Sequence, residues 1–297
     1  MSMNFLTYLI SGISLGSIYA IIALGYTMVY GIAKMLNFAH GDFIMVGCYV
    51  VFTIMGMFNG SAVGKIAGVF VAIIVCTLVG VITEKIAYKP LRGASSPLAV
   101  LITAIGVSYL LENAALLIFG SDPKSFTSVV PWEGVAVKGL KIQGVTIVTI
   151  VVSVIVLVVL QLFVHKTREG QAMLCVAQDK GAAMLMGINV NKTITITFAI
   201  GSALAAIAGA LQCSAYPALT PYTGAMPGIK AFVAAVLGGI GSIPGAMIGG
   251  IVLGVIEILS RSYISSQLAD AIVFGVLIIV LLVKPTGILG KNIQEKV

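Results

Sequence analysis

Between Asn37 and Asp42 the chain reads Asn-Phe-Ala-His-Gly-Asp, a polar interruption between two apolar runs. An amide, an imidazole and a carboxylate lie close together there, and none can sit in hydrocarbon unpaired. Gly41 lets the backbone turn. Two readings stay open. One is an ordinary loop at a membrane face. The other is an unwound segment whose following helix aims its N-terminal dipole at an anionic group such as a carboxylate. Glu112 and Asn113 lie inside the apolar run 98–119, and Glu257 inside 245–259. An ionised acid at mid-bilayer costs about 2.5–3.5 kcal/mol, so each must face a partner, a cavity or the interface. Such groups either close an internal hydrogen bond, bind a proton or line a polar route. Thr27, Tyr30, Tyr216, Thr220, Tyr222 and Thr223 offer neutral hydrogen bonds. Glu84, next to Lys85 at the end of a run, is expected at the membrane interface.

Covalent chemistry is poorly supported. No paired carboxylates, Ser/His/Asp set or metal cluster stands at useful spacing. His40 and His165 are the two histidines, and Cys48, Cys76, Cys175 and Cys213 form no C-x-x-C pair. The cysteines read as small hydrophobes rather than metal or redox groups. There is no G-x-x-x-x-G-K-[ST] phosphate loop. Leu237-Gly-Gly-Ile-Gly-Ser242 has the glycines of a nucleotide motif, but no lysine follows and it lies in an apolar region. The expectation is a chain that is not an enzyme and has no cofactor of its own.

The elements that position these residues follow from composition. Of 297 residues, 59% are hydrophobic and 9% charged, against about a quarter charged in a soluble protein. Apolar runs at 6–31, 66–84, 98–119, 144–164, 193–215 and 268–283 approach the ~20 residues a membrane helix needs. The runs 43–58 and 245–259 are shorter, and 228–241 reads as a half-span or broken helix. Continuous rather than alternating apolarity excludes a barrel. The fold expected is all-α: one polytopic transmembrane bundle over 1–297, with eight to nine segments, some broken or half-spanning. The N-terminus reads as a retained span rather than a signal peptide.

The net charge of +7 resides in short loops, and no nucleic-acid motif accompanies it. Lys85, Lys89 and Arg92 mark one loop; Lys166, Arg168, Lys180 and Lys192 a second; Lys284, Lys291 and Lys296 the tail. The positive-inside rule places all three in the cytoplasm. Three full passes before the first loop put the N-terminus outside; a re-entrant 37–58 puts it inside. Glycines cluster from Gly238 and Gly239 through Gly241, Gly245 and Gly249 to Gly250, with Pro244 among them. That density predicts a helix break, and Gly241→Val is expected to impair transport more than Gly80→Val. The small-residue rhythms of 11–20 and 200–209 are compatible with an internal repeat.

The segment 166–191 is too apolar for a solvated linker. Ala172, Met173, Val176, Ala177 and Lys180, then Met184, Leu185 and Ile188, keep a helical rhythm that calls for a partner groove or the bilayer surface. Here Gly181-Ala-Ala-Met-Leu-Met-Gly187 resembles the E-A-A-x-x-x-G coupling motif of ABC-transporter permeases, with glycine in place of the leading acid. Gly25-Tyr-Thr-Met-Val-Tyr-Gly-Ile32, Asn37–Asp42, the glycine-rich stretch Lys230–Gly250 and Lys284-Pro-Thr-Gly-Ile-Leu-Gly290 closely resemble the LivH family, over essentially the full chain. The resemblance implies an inner-membrane, multi-pass permease subunit of an ABC importer for branched-chain amino acids such as leucine. It implies a second permease like LivM, two cytoplasmic ATPases like LivG and LivF that bind the ATP, and a periplasmic binding protein. Membrane lipid is a further partner and nucleic acid is not. ATPase coupling is then expected at Arg168, Glu169, Gly170, Ala177, Asp179, Ala182, Ala183, Leu185 and Gly187. The translocation pathway is expected at Thr27, Asn37, His40, Gly41, Asp42, Glu112, Asn113, Gly238, Gly239, Gly241 and Glu257. The rival reading is a secondary transporter coupled to protons through Glu112 or Glu257.

Overall fold

A computed structural model describes residues 2–93, 97–137 and 140–290. Lys138, Lys291 and Lys296 lie outside the described residues. The helices are α1 (Ser2–Ala33), α2 (His40–Met57), α3 (Ala62–Thr83), α4 (Pro97–Phe119), α5 (Gly144–Lys166), α6 (Arg168–Gln178), α7 (Lys180–Leu185), α8 (Val190–Ala215), α9 (Ala225–Gly238), α10 (Ile243–Tyr263) and α11 (Ala269–Val283). Among the described residues, seven are long and apolar enough to cross a membrane, and α9 and α11 are shorter apolar helices. Two antiparallel strand pairs are the only sheet among those residues. Strand β1 (Lys124–Ser125) pairs with β4 (Ala218–Leu219), and β2 (Gly134–Val137) with β3 (Leu140–Gln143).

The core forms where small residues let backbones approach, since lipid supplies no hydrophobic drive between helices. α1 and α10 run antiparallel in close contact. A Cβ on Gly12 would sit 2.8 Å from Val255 Cα, and one on Gly16 would sit 2.6 Å from Ile251 Cα. Gly254 and Gly250 reciprocate against Gly16 and Ala20. On α3 the two faces separate cleanly. Gly64, Gly68, Ala72, Cys76 and Gly80 are buried against α2 and α8, while Val63, Ile66, Phe70, Ile74, Leu78 and Ile82 are exposed. The spacing of four keeps the small residues on one stripe and turns the large ones to lipid.

The glycine cluster after Lys230 divides into two roles. The helix break spans 239–242, where Gly239 (φ 104°) and Gly241 (φ 92°) take backbone angles that disfavour any side chain. Gly245, Gly249, Gly250 and Gly254 instead lie within α10 as contact residues. Ser242 starts α10 by accepting from the Gly245 N–H at 3.2 Å, and Pro244 fills its first turn. The orphan carbonyls ending α9 are met from the far end of the chain: Ile288 N–H donates to Leu237 O and Leu289 N–H to Gly238 O, both at 2.9 Å. The Lys284–Gly290 motif is therefore a cap for α9.

Gly80 does not serve as a harmless reference for Gly241. A Cβ at Gly80 would overlap the Ser202 hydroxyl on α8, whereas Gly241 has open space and only a backbone restriction. Overpacking costs about 1–3 kcal/mol and a forced backbone angle a similar ~1–3 kcal/mol. Gly80→Val is thus expected to lower thermal stability in detergent at least as much as Gly241→Val, so the transport ranking of the two variants must be read after correction for folded protein. Melting curves of the two purified variants measure the order.

Candidate translocation and coupling sites

The segment between α1 and α2 is irregular because α1 ends in a left-handed residue, Lys34 (φ 57°). The chain then folds back so that His40 packs edge-on against Tyr26 of α1, ring centroids 4.6 Å apart. Gly25 makes the room, since a Cβ there would meet the imidazole. Tyr88, in a π-helical turn (Glu84–Tyr88) after α3, donates from its hydroxyl to Asn37 Oδ1 at 2.7 Å. Asp42 is in the first turn of α2, where the helix dipole favours its carboxylate. It meets Ser108 and Glu112 of α4.

Asn37, His40 and Asp42 are each 1–2% exposed. Thr27 Oγ1, Asn37 Nδ2 and Asp42 Oδ2 are buried with no hydrogen-bond partner among the described residues. Native proteins rarely leave such atoms unmatched without a functional reason or an absent partner. Glu112 is at the edge of burial, at 9% exposure. Asn113, one position on, is turned outward and spends its amide on the Tyr109 carbonyl one turn back, at 2.8 Å.

The N-terminal ends of α2 and α9 abut. Gly41 lies against Gly224 and Gly228, and a Cβ on Gly224 would overlap the Gly41 carbonyl. Neither helix has a side-chain cap at that end. A narrow slot beside this junction is lined by Tyr26, Tyr30, Asn37, Phe232 and Ile240.

The other intramembrane acids have partners. Glu257 is fully buried and accepts from Tyr19 Oη at 2.9 Å, from Lys230 Nζ at 2.7 Å and from Arg261. Lys230, 3% exposed, also reaches Asp270 at 2.7 Å. Four helices, α1, α9, α10 and α11, are tied through this one cluster. Glu84, at the end of α3, is wholly buried rather than reaching water, paired with Arg92 and accepting from Thr195 at 2.7 Å. The turn after α3 carries Arg92 back over it, so Glu84 has a cation without reaching water.

The segment 166–191 folds as α6 and α7 rather than as one helix. Asp179 is extended (φ −154°), and its carboxylate accepts from the N–H groups of Gly181 and Ala182 at 2.7 and 3.0 Å. That cap ends α6 and starts α7. Thr167 caps α6 in the same way, accepting from Gly170 N–H at 3.0 Å. Gly170, Met173 and Val176 face inward, with Gly170 against the backbone of Phe163 and Val164. Ala177 is half-buried, Ala183 buried, and Ala182 and Arg168 show more of their surface. Glu169 pairs with Lys192 at 2.6 Å on the exposed side. At the tip Met184, Leu185 and Met186 are 60%, 91% and 82% exposed, followed by Gly187 at φ 80°.

Lys180, expected as a loop charge and as part of the helical rhythm of its segment, donates to the last carbonyl of α1, Ala33 O, at 2.9 Å. Burial and the nearby Arg92 and Lys34 charges push its ammonium below the ordinary lysine range. This bond also puts the C-terminus of α1 on the same face as α6 and α7, and so the N-terminus on the opposite face. Lys230, Tyr19 and Asp270 were missed as well. The available signal was an uncompensated lysine inside an apolar run with Glu257 in the next one.

Comparison with known proteins agrees with this architecture. Residues 8–282 match the family described as the branched-chain amino acid transport system / permease component. The chain is 44% identical to the high-affinity branched-chain amino acid transport system permease protein BraD of Pseudomonas aeruginosa, covering 99% of this chain and 98% of that one. It is 44% identical to the permease protein LivH of Escherichia coli K12 over the same shares. Similarity extends to a probable LivH of Methanocaldococcus jannaschii, 30% identical over 92% of this chain and 89% of that one. With its membrane-length helices, the chain is a multi-pass inner-membrane protein belonging to the branched-chain amino acid transport permease family.

Proposed function

We propose that this chain is the membrane-spanning subunit of an ATP-driven importer of branched-chain amino acids, without an ATPase site of its own. The observation that carries this reading is the exposed apolar tip Met184–Leu185–Met186 on a segment otherwise fastened to the bundle. An unpartnered apolar tip on the cytoplasmic face fits a groove in another protein. Lys180 links that tip to the end of α1, and α1 leads directly into the Asn37–Asp42 segment. Motion of a docked ATPase thus has a short route to the polar junction, through one hydrogen bond and the end of α1.

Substrate passes near the junction of α2 and α9 in this reading. Thr27, Asn37, Asp42 and Glu112 supply polar atoms, and Gly41 with the break at Gly238, Gly239 and Gly241 supplies backbone freedom. Glu257 holds the surrounding helices together rather than lining the route, since Lys230, Arg261 and Tyr19 use its oxygens. The partners required are a LivM-like permease, LivG- and LivF-like ATPases and an extracytoplasmic binding protein.

A proton-coupled transporter is the second reading. The Asp42 carboxylate, with Oδ2 unmatched and Glu112 near enough to act on its charge, favours it. One experiment separates the two. Purified complex in proteoliposomes is expected to accumulate leucine only with internal ATP, to stop with vanadate and to continue in the presence of a protonophore. Leucine uptake driven by an imposed pH gradient in this chain alone would overturn the ATP-driven reading.

A further inference from the structure

The three buried cysteines, read from sequence as apolar filler, are not scattered. Cys48 of α2 and Cys213 of α8 are both 0% exposed, and their sulfurs stand 2.7 Å apart. Cys48 Sγ also donates to Gly209 O at 3.2 Å, and Gly209 makes the approach possible because a Cβ there would crowd the Ile44 carbonyl and the Cys48 sulfur. Cys76 of α3 lies on the other side, its Sγ donating to Phe43 O at 3.3 Å. Cys213 is two residues from the end of α8 remote from α7, and Cys48 is midway along α2. Packing alone asks for two small apolar groups here. It does not ask for two thiols in direct register across a helix contact.

We propose that Cys48 and Cys213 form a redox-closable link between α2 and α8. In the reduced state Cys213 S–H faces the Cys48 sulfur at closer than ordinary thiol contact, and Cys48 S–H donates to the Gly209 carbonyl. A two-electron oxidant of the membrane-permeant diazene class converts the pair. One thiol adds through sulfur across the N=N bond, and its proton goes to the second nitrogen. The other sulfur then attacks the first, the S–S bond forms, the S–N bond breaks, and the second thiol's proton completes the hydrazine. Two thiols lose two electrons and two protons; the diazene gains both. The link joins the helix that begins with His40 and Asp42 to the helix that follows the α6–α7 segment. Transport that requires these helices to shift is arrested while the bond is closed.

The test uses the whole chain in native membranes or in its purified complex, treated with diamide, then denatured and alkylated with N-ethylmaleimide before intact-mass measurement. The reduced protein takes up a label on each of its four cysteines. After diamide the proposal expects two labels fewer, restored by dithiothreitol, with Cys48 and Cys213 joined in one tryptic species. Cys76→Ser should still lose two labels on oxidation, whereas Cys213→Ser should lose none. Leucine uptake should fall with oxidation in the native chain and be insensitive to it in Cys213→Ser. Unchanged label numbers after diamide would overturn the link, whatever the transport result. A closed bond without change in uptake would overturn the arrest and leave a purely structural crosslink. The alkylation arm does not depend on the substrate, so it stands apart from failure of the importer reading.

Discussion

Leu185→Asp is expected to abolish leucine uptake while the protein still inserts, folds and assembles its bundle. Leu185 is 91% exposed and touches the bundle little, so its removal takes almost nothing from the fold. If it enters a groove of an ATPase, burying it stabilises the contact by about 1.5–3 kcal/mol, and a carboxylate in that place adds a desolvation penalty. The combined change is enough to lower occupancy of the docked state by two or more powers of ten, because about 1.4 kcal/mol corresponds to tenfold. ATP hydrolysis by the partner subunits should persist without transport, or the ATPases should be lost on purification. The pair of measurements is uptake in proteoliposomes and recovery of ATPase subunits on the tagged permease. Wild-type values in both would show that this tip has no docking role. Gly187→Leu should act in the same direction for a different reason, since φ 80° strains any side chain there.

The spans were legible because the bilayer forces a simple correspondence between apolar length and helix. The run 144–164 became α5 (Gly144–Lys166), and 98–119 became α4 almost residue for residue. The shortness of the element at 228–241 was also legible, as a short α9 (Ala225–Gly238) ended by the break. Less legible was anything fixed by contacts between distant residues. Nothing local to Lys284–Gly290 reveals that it caps α9, and nothing local to Lys180 reveals Ala33 as its acceptor. The glycine cluster misled in part because one residue type serves two physical ends. Positive φ at Gly239 and Gly241 and close helix contact at Gly249 and Gly250 look identical in sequence. The burial of Glu84 was not legible because an acid at the end of an apolar run is ordinarily solvated, and its partner Arg92 returns through a turn that hydropathy does not show.

The buried ion cluster gives the second large effect, and its sign depends on which residue is left behind. Glu257→Leu leaves Lys230, only 3% exposed, with Asp270 as its remaining partner and costs about 3–5 kcal/mol, the usual cost of breaking a buried pair from one side. Lys230→Met should cost less, because Glu257 keeps Arg261 and Tyr19. Asp270→Ala should cost least: Asp270 is 42% exposed and solvent already shares its charge, while Lys230 retains Glu257. The double variant Lys230→Met, Glu257→Leu removes both deeply buried charges together and leaves Arg261 and Asp270 half-exposed, where water can reach them. It is therefore expected to be more stable than Glu257→Leu alone, with a coupling on the order of 1–3 kcal/mol between the two sites. Thermal unfolding of the detergent-solubilised single and double variants measures that coupling. Additive losses would mean that Lys230 and Glu257 are not the interacting core of the cluster. If stability recovers in the double variant but uptake does not, the charges serve transport beyond holding α1, α9, α10 and α11 together, because an apolar pair can replace the packing but cannot open and re-form as an ion pair does.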